Sequence, residues 1–267
     1  MPPRIDSPKN ALVGELRKIR ERGDGRLVFA EGARLVLEGL AAGLGCERLL
    51  VADGFARSQH AADLEVVVQA KQLRPQECSD AAMARISGLE TPPGVVALFQ
   101  RPKLEAEQLL EQGALLCIAA GVRDPGNLGA LLRCCEAAGV TAFVALAGSA
   151  DPYRDKALRA SAGSVFRVPC LTGLRLETLR SWVAQRGLRL ITTELRAEDS
   201  LWDAEFGEGP LGFVIGAEGA GVPAEVSQLA ALRLRIPMAG QVESLNVAVA
   251  AGLVLFEARR RAERAGR

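Results

Sequence analysis

Apolar and polar positions along the first hundred residues switch between two periods. Leu12, Leu16 and Ile19 recur at helical spacing, and the short apolar run Leu27-Val28-Phe29-Ala30 that follows has the length of a strand. Residues 31–40 return to helical periodicity, Arg48-Leu49-Leu50-Val51 predicts a strand, and a helical patch runs from about Ala81 to Ile86. Pro92-Pro93-Gly94 breaks the chain before the strand-like Val95-Val96-Ala97-Leu98-Phe99. Helices alternating with strands predict an α/β unit.

Gln100 to Gly113, with Pro102 and several Glu, reads as a linker running into a short helix. Strands are predicted at about 114–119, 141–146, 188–193, 211–216 and 232–236, with helical segments between them. The last helix, from about Ser244 to Arg260, is apolar on most sides in its first half. Such a helix is expected to bury itself against another surface, for which a second subunit qualifies. These patterns divide the chain into expected domains 1–104 and 105–267.

Three predicted strands of the second half end in turns that carry glycine and isolated polar groups. They are Gly121-Val122-Arg123-Asp124-Pro125-Gly126-Asn127 through Arg133, Gly216-Ala217-Glu218-Gly219-Ala220-Gly221, and the run from Ile236-Pro237-Met238 to Ser244-Leu245-Asn246. Each turn opens a helix, whose first amides have no partner inside the helix. Ligands of open α/β sheets bind at such carboxyl ends of strands, so three turns in one half of the chain imply one composite site. Gly216, Gly219 and Gly221 permit backbone to approach a ligand closely. Ser244 or Asn246 suits a helix cap, and Asn127 suits a cap for the helix that carries Arg133. Arg133 stands among Leu131, Leu132, Cys134 and Cys135, so it is expected to be mostly buried and to need a partner.

Composition narrows the chemistry. The 267 residues are 49% apolar and 24% charged, enough for two cores. No run of about 20 uncharged apolar residues suggests a membrane span, and no apolar leader is apparent at the N-terminus. Six cysteines form no Cys-x-x-Cys pair, which predicts buried thiols in a reducing, cytoplasmic setting. The single histidine, His60, lies far in sequence from the Gly-rich turns, so a Ser-His-Asp triad and a multi-histidine metal site are disfavoured and no metal is expected. The net charge of +1 does not announce a nucleic-acid binder. Local clusters do exist at Arg17-Lys18-Ile19-Arg20 and at Arg259-Arg260-Arg261 with Arg264 and Arg267; they read either as solvated helix faces or frayed tail, or as RNA contacts. A dinucleotide-binding enzyme is disfavoured. Gly219-Ala220-Gly221-Val222-Pro223-Ala224 lacks the third glycine, and no Walker lysine follows any Gly-rich turn.

Together the three turns resemble the SpoU (TrmH-like) family of RNA ribose 2'-O-methyltransferases, over roughly residues 114–258. Arg159-Ala160-Ser161-Ala162-Gly163-Ser164-Val165-Phe166 is similar to that family's middle region, and Ala248 stands where many relatives have Ser. Glu31-Gly32 through Glu38 and Gly94-Val95-Val96-Ala97 resemble the ribosomal-protein-L30e-like RNA substrate-binding domain that often precedes it. The resemblance implies an α/β fold with a deep trefoil knot in the C-terminal SPOUT domain, S-adenosylmethionine held bent in that knot, and an active site at a homodimer interface. It implies that Arg133, Asn127, Glu218, Ser244 and Asn246 are catalytic, and that Gly216, Gly219, Ile236, Met238, Leu245 and Thr193 hold the cofactor. Arg123 and Arg159 become candidate phosphate contacts. A neutral arginine at pH 7 costs about 7 kcal/mol, so Arg133 suits a phosphate clamp that orients the ribose better than a free base. The implied substrate is 23S rRNA, with tRNA and a non-catalytic role in ribosome assembly as alternatives. Keeping Asn127, Arg133, Glu218, Ser244 and Asn246 together argues against lost catalysis.

Overall fold

The computed structural model describes residues 2–111, 113–240, 242 and 244–264, which fall into two compact units. Unit one comprises Met1–Pro102 with Tyr153–Arg159, and unit two Lys103–Pro152 with Ala160–Arg267. Among the described residues, no helix is long and apolar enough to cross a membrane.

In unit one, Asn10 starts helix α1 (Ala11–Arg22) by accepting a hydrogen bond from the Leu12 amide at 2.9 Å. Strand β1 (Leu27–Glu31), helix α2 (Ala33–Ala41), strand β2 (Cys46–Ala52), helix α3 (Ala61–Ala70), strand β3 (Gln76–Cys78), helix α4 (Asp80–Ile86) and strand β4 (Val95–Gln100) follow. The sheet order is β1-β4-β2-β3, antiparallel except for the β2–β3 pair. Leu16, Ile19, Phe29, Leu50, Met83 and Val96 meet in its core. Residues 31 and 32 depart from the expected helix. Glu31 ends β1 opposite Val96, is buried, and accepts hydrogen bonds from the Ser87 hydroxyl and the Gly88 amide. Gly32 caps α2 with a φ of 96°.

Unit two contains strand β5 (Leu115–Ala120), helix α5 (Pro125–Ala138), strand β6 (Ala142–Leu146), helix α6 (Asp155–Ser161, which crosses the unit boundary) and helix α7 (Ser164–Arg167). Strand β7 (Cys170–Leu174), helix α8 (Leu176–Arg186), strand β8 (Arg189–Thr193) and the two-residue strand β9 (Asp199–Ser200) come next. Strand β10 (Leu211–Gly216), the short helix α9 (Ala224–Ser227), strand β11 (Leu232–Arg235) and helix α10 (Val247–Arg264) complete it. The strands form a wholly parallel sheet in the order β7-β6-β5-β10-β8-β11-β9. A parallel sheet is covered on both faces, and accordingly every residue of β6 is buried, as are Gly212 to Ile215 of β10.

The C-terminal arginines prove to be anchors. Glu257, buried on α10, accepts from Arg260 and Arg261, and these guanidinium hydrogen bonds hold its carboxyl down at about 2. Arg261 also donates to the carbonyls of Leu201, Trp202 and Ala204 and stacks over the Phe206 ring at 4.4 Å. Arg259 donates to the carbonyl of Ala137 on α5 at 3.0 Å. The run is therefore neither a frayed tail nor a wholly solvated face, while Arg267 lies outside the described residues. All six cysteines are free thiols; Cys46 and Cys134 are half-buried and the others buried.

Candidate active site

The end of β10 shows why glycine is needed there. Ala217 and Gly221 exchange two backbone hydrogen bonds, at 3.0 and 2.8 Å, so the chain folds back on itself immediately after the strand. A Cβ on Gly216 would lie 2.2 Å from the Gly221 carbonyl carbon, and no nearby side chain can move to relieve that clash. Gly216 therefore makes room for protein backbone rather than for a ligand. Gly219 and Gly221 take φ values of 78° and 70°, and a Cβ on either would enter open space.

This turn borders a cavity of about 430 Å³ at the carboxyl ends of β8, β10 and β11. Its wall includes Thr193, Gly216, Gly219, Ile236, Met238 and Leu245, all expected cofactor positions, together with Glu218 and Ser244. Ile215, Val222 and Val247 add apolar surface. The volume falls within the range of small-molecule sites, and the mix of apolar wall with few polar groups is typical of them. A nucleoside-sized cofactor fits these residues: aliphatic side chains for a flat base, carboxylates and backbone groups for hydroxyls and an amine.

Beside the cavity, three polar side chains join in series. The Asn246 side-chain amide donates to Asn127 Oδ1 at 3.0 Å, and Asn127 Nδ2 donates to Glu218 Oε2 at 3.1 Å. Three segments distant in sequence are thereby tied through one side chain. Asn127 does not cap α5. That role belongs to Asp124, whose carboxylate accepts from the Asn127 amide at 2.8 Å, followed by Pro125 at the first helical position. Asn246 caps α10, accepting from the Ala248 amide at 3.0 Å, so the helix starts later than expected and Ser244 remains in the preceding loop. Gln241 and Glu243 of that loop lie outside the described residues.

Residues 114–256 match the family described as SpoU rRNA Methylase, and residues 12–97 match an MRM3-like substrate binding domain. The chain belongs to the SpoU rRNA methylase family. It is 33% identical over 261 residues to the 23S rRNA (guanosine(2553)-2'-O)-methyltransferase RlmP of Bacillus subtilis, covering 96% of this chain and 98% of that one. It is 35% identical over 207 residues to the 23S rRNA (guanosine-2'-O-)-methyltransferase RlmB of Ralstonia nicotianae, covering 76% and 83% of the two chains. Among solved structures, an AdoMet-bound rRNA methyltransferase from Sinorhizobium meliloti superposes with a TM-score of 0.84 at 28% identity, covering 97% and 98% of the two chains.

In this SpoU-family chain, Arg133 departs from its expected setting. Its side chain is exposed and has no hydrogen bond or ion pair among the described residues. Six residues of helix place it roughly 120° around α5 from Asn127, so it does not join the Asn127–Glu218–Asn246 series. Its apolar neighbours Leu131, Leu132 and Cys135 face the core instead. Arg123 is exposed just before α5, and Arg159 is exposed and ion-paired with Asp155. The cavity wall also contains Glu194, Leu195 and Arg196, which the sequence reading did not single out. Position alone gives the available signal, because all three follow directly on the carboxyl end of β8.

Proposed function

We propose that this chain is an RNA ribose 2'-O-methyltransferase that takes its methyl group from S-adenosylmethionine and acts on 23S rRNA. The observation that carries the reading is the cavity at the ends of β8, β10 and β11, bordered by Glu218 of the Asn127–Glu218–Asn246 series. When bound, S-adenosylmethionine supplies an electrophilic methyl group on a sulfonium. The side chains of Thr193, Ile236, Met238 and Leu245, with the backbone around Gly216 and Gly219, hold it and exclude water. Asn127, Glu218 and Asn246 fix the loops against which the ribose is oriented, and Ser244 contributes a hydroxyl to the same wall.

Arg133 clamps the phosphate beside the target ribose and brings the 2'-oxygen into line, and the hydroxyl proton is lost to solvent late in the transfer. Positioning of this kind supplies several kcal/mol. Arg123 and Arg159 serve as further phosphate contacts. Residues 1–104 form the RNA substrate-binding domain and 105–267 the catalytic SPOUT domain, in which the chain passes through a deep trefoil knot. The 23S rRNA assignment rests on the full-length relatives and on the match of residues 12–97 to a substrate-binding domain.

The working form is a cytoplasmic homodimer. α10 leaves Val249, Leu253 and Phe256 exposed at helical spacing, an apolar stripe that a second copy would cover. Since α10 packs on α5, the same docking brings Arg133 toward the partner and supplies the setting that one copy lacks. The test is methyl transfer to isolated rRNA by wild type and by Arg133→Ala, with binding of S-adenosylhomocysteine measured in parallel. Retained binding with lost transfer supports the assigned role, and full transfer by the variant refutes it.

A further inference from the structure

Among the described residues, Glu194 is the one carboxylate on the cavity wall, besides Glu218, and the proposed chemistry leaves it without a task. It stands immediately after the carboxyl end of β8, and its side chain is held in place. Thr192 Oγ1 donates to Glu194 Oε1 at 2.7 Å and Ser227 Oγ donates to the same oxygen at 2.6 Å. The Arg233 guanidinium lies 3.9 Å from that oxygen and also donates to the Ser227 hydroxyl and carbonyl. Thr192 is fully buried, so its hydroxyl has a strong reason to keep this bond. All these contacts converge on Oε1, and among the described residues none is made to Oε2.

Glu194 belongs to the cavity wall, its carboxylate is locked through one oxygen, and the other oxygen is uncommitted among the described residues, so the group is pre-organised to accept from hydroxyl donors. The two carboxylates also divide the cavity. Glu218 accepts from Asn127 in the polar series where ribose methylation is assigned, whereas Glu194 belongs to the β8–α9 side. An acidic side chain past a strand end is a general solution for holding the vicinal hydroxyls of a nucleoside in open α/β sheets.

We propose that Glu194 binds the ribose hydroxyls of the cofactor's adenosine, with Thr192 and Ser227 acting as positioning residues for its carboxylate. This rests on the S-adenosylmethionine reading above. The step is non-covalent, with both hydroxyl protons staying on the ligand.

The test is a cycle of calorimetric dissociation constants, using wild type and Glu194→Gln against S-adenosylhomocysteine and its 2',3'-dideoxy form. Wild type is expected to lose about tenfold or more on removal of the hydroxyls, as hydrogen bonds to charged groups do. Glu194→Gln should bind S-adenosylhomocysteine about tenfold more weakly and discriminate little between the two ligands, the non-additivity that marks a direct contact. Ser227→Ala, which keeps the carboxylate but frees it on one side, should fall between them. Equal binding of S-adenosylhomocysteine by wild type and Glu194→Gln overturns the proposal while leaving the cofactor reading intact. Equal loss on removing the hydroxyls in both proteins does the same. Failure of wild type to bind S-adenosylhomocysteine overturns both.

Discussion

Asn127 is the residue through which α5, the turn after β10 and the start of α10 share hydrogen bonds, because its side-chain amide both donates to Glu218 and accepts from Asn246. Replacing it with Ala removes both links at once without touching the cavity wall. The expected result is at least a tenfold fall in methyl-transfer rate, about 1.4 kcal/mol, with S-adenosylhomocysteine affinity near wild type; a large loss of affinity would move Asn127 into cofactor binding. Gly216 makes the opposite case. Adding a methyl there drives it into the Gly221 backbone, so Gly216→Ala should destabilise the protein by about 2 kcal/mol, read as a lowered urea midpoint. At this scale the three Gly-rich turns were legible because glycine and isolated polar residues are unusual at strand ends. The partners were not. Asp124 rather than Asn127 caps α5, since either side chain suits a cap and only the backbone path decides between them. The expected burial of Arg133 fails because apolar sequence neighbours on a helix face other directions and say little about the residue between them.

α10 shows what an element adds to its residues. Its first half is apolar for packing on α5, and its second half is held by Glu257, Arg260 and Arg261. Glu257 has a carboxyl lowered to about 2, mainly by the hydrogen bond from Arg260, so its stabilisation is complete above the ordinary carboxylate value and is lost as pH falls toward 2. Solvent screening at the half-exposed Arg260 limits the contribution to about 1–2 kcal/mol. Glu257→Gln should therefore lower unfolding free energy by that amount at pH 7 and by almost nothing at pH 2, measured by urea denaturation across the range. A constant difference at every pH would remove the ionic explanation. Expected strands of five residues or more survive in the structure with boundaries shifted by at most one residue, because continuous apolar runs mark strands buried on both faces. α3 shows no helical period in the sequence because Val66, Val67 and Val68 are β-branched and Leu64 is its only buried residue. β3 and β9, with three and two residues, are too short to show a period.

For the whole molecule, the proposed homodimer rests on the exposed stripe Val249, Leu253 and Phe256 and on Arg133, which has no hydrogen bond or ion pair among the described residues. Leu253→Asp introduces a charge into that stripe while leaving the cavity wall untouched. The expected outcome is a monomer by sedimentation that still folds and has lost methyl transfer; a fully active monomer would show that one copy holds a complete site. The paired α/β layout was readable from pattern alone, whereas the order of the seven-stranded sheet depends on contacts between distant segments that periodicity does not encode. The most direct measurement is transfer of labelled methyl from S-adenosylmethionine to rRNA isolated from cells lacking this protein, with wild type and Arg133→Ala compared. The account predicts label at one alkali-resistant linkage of 23S rRNA with wild type and none with the variant. Label on a base, or equal transfer by both proteins, would contradict it.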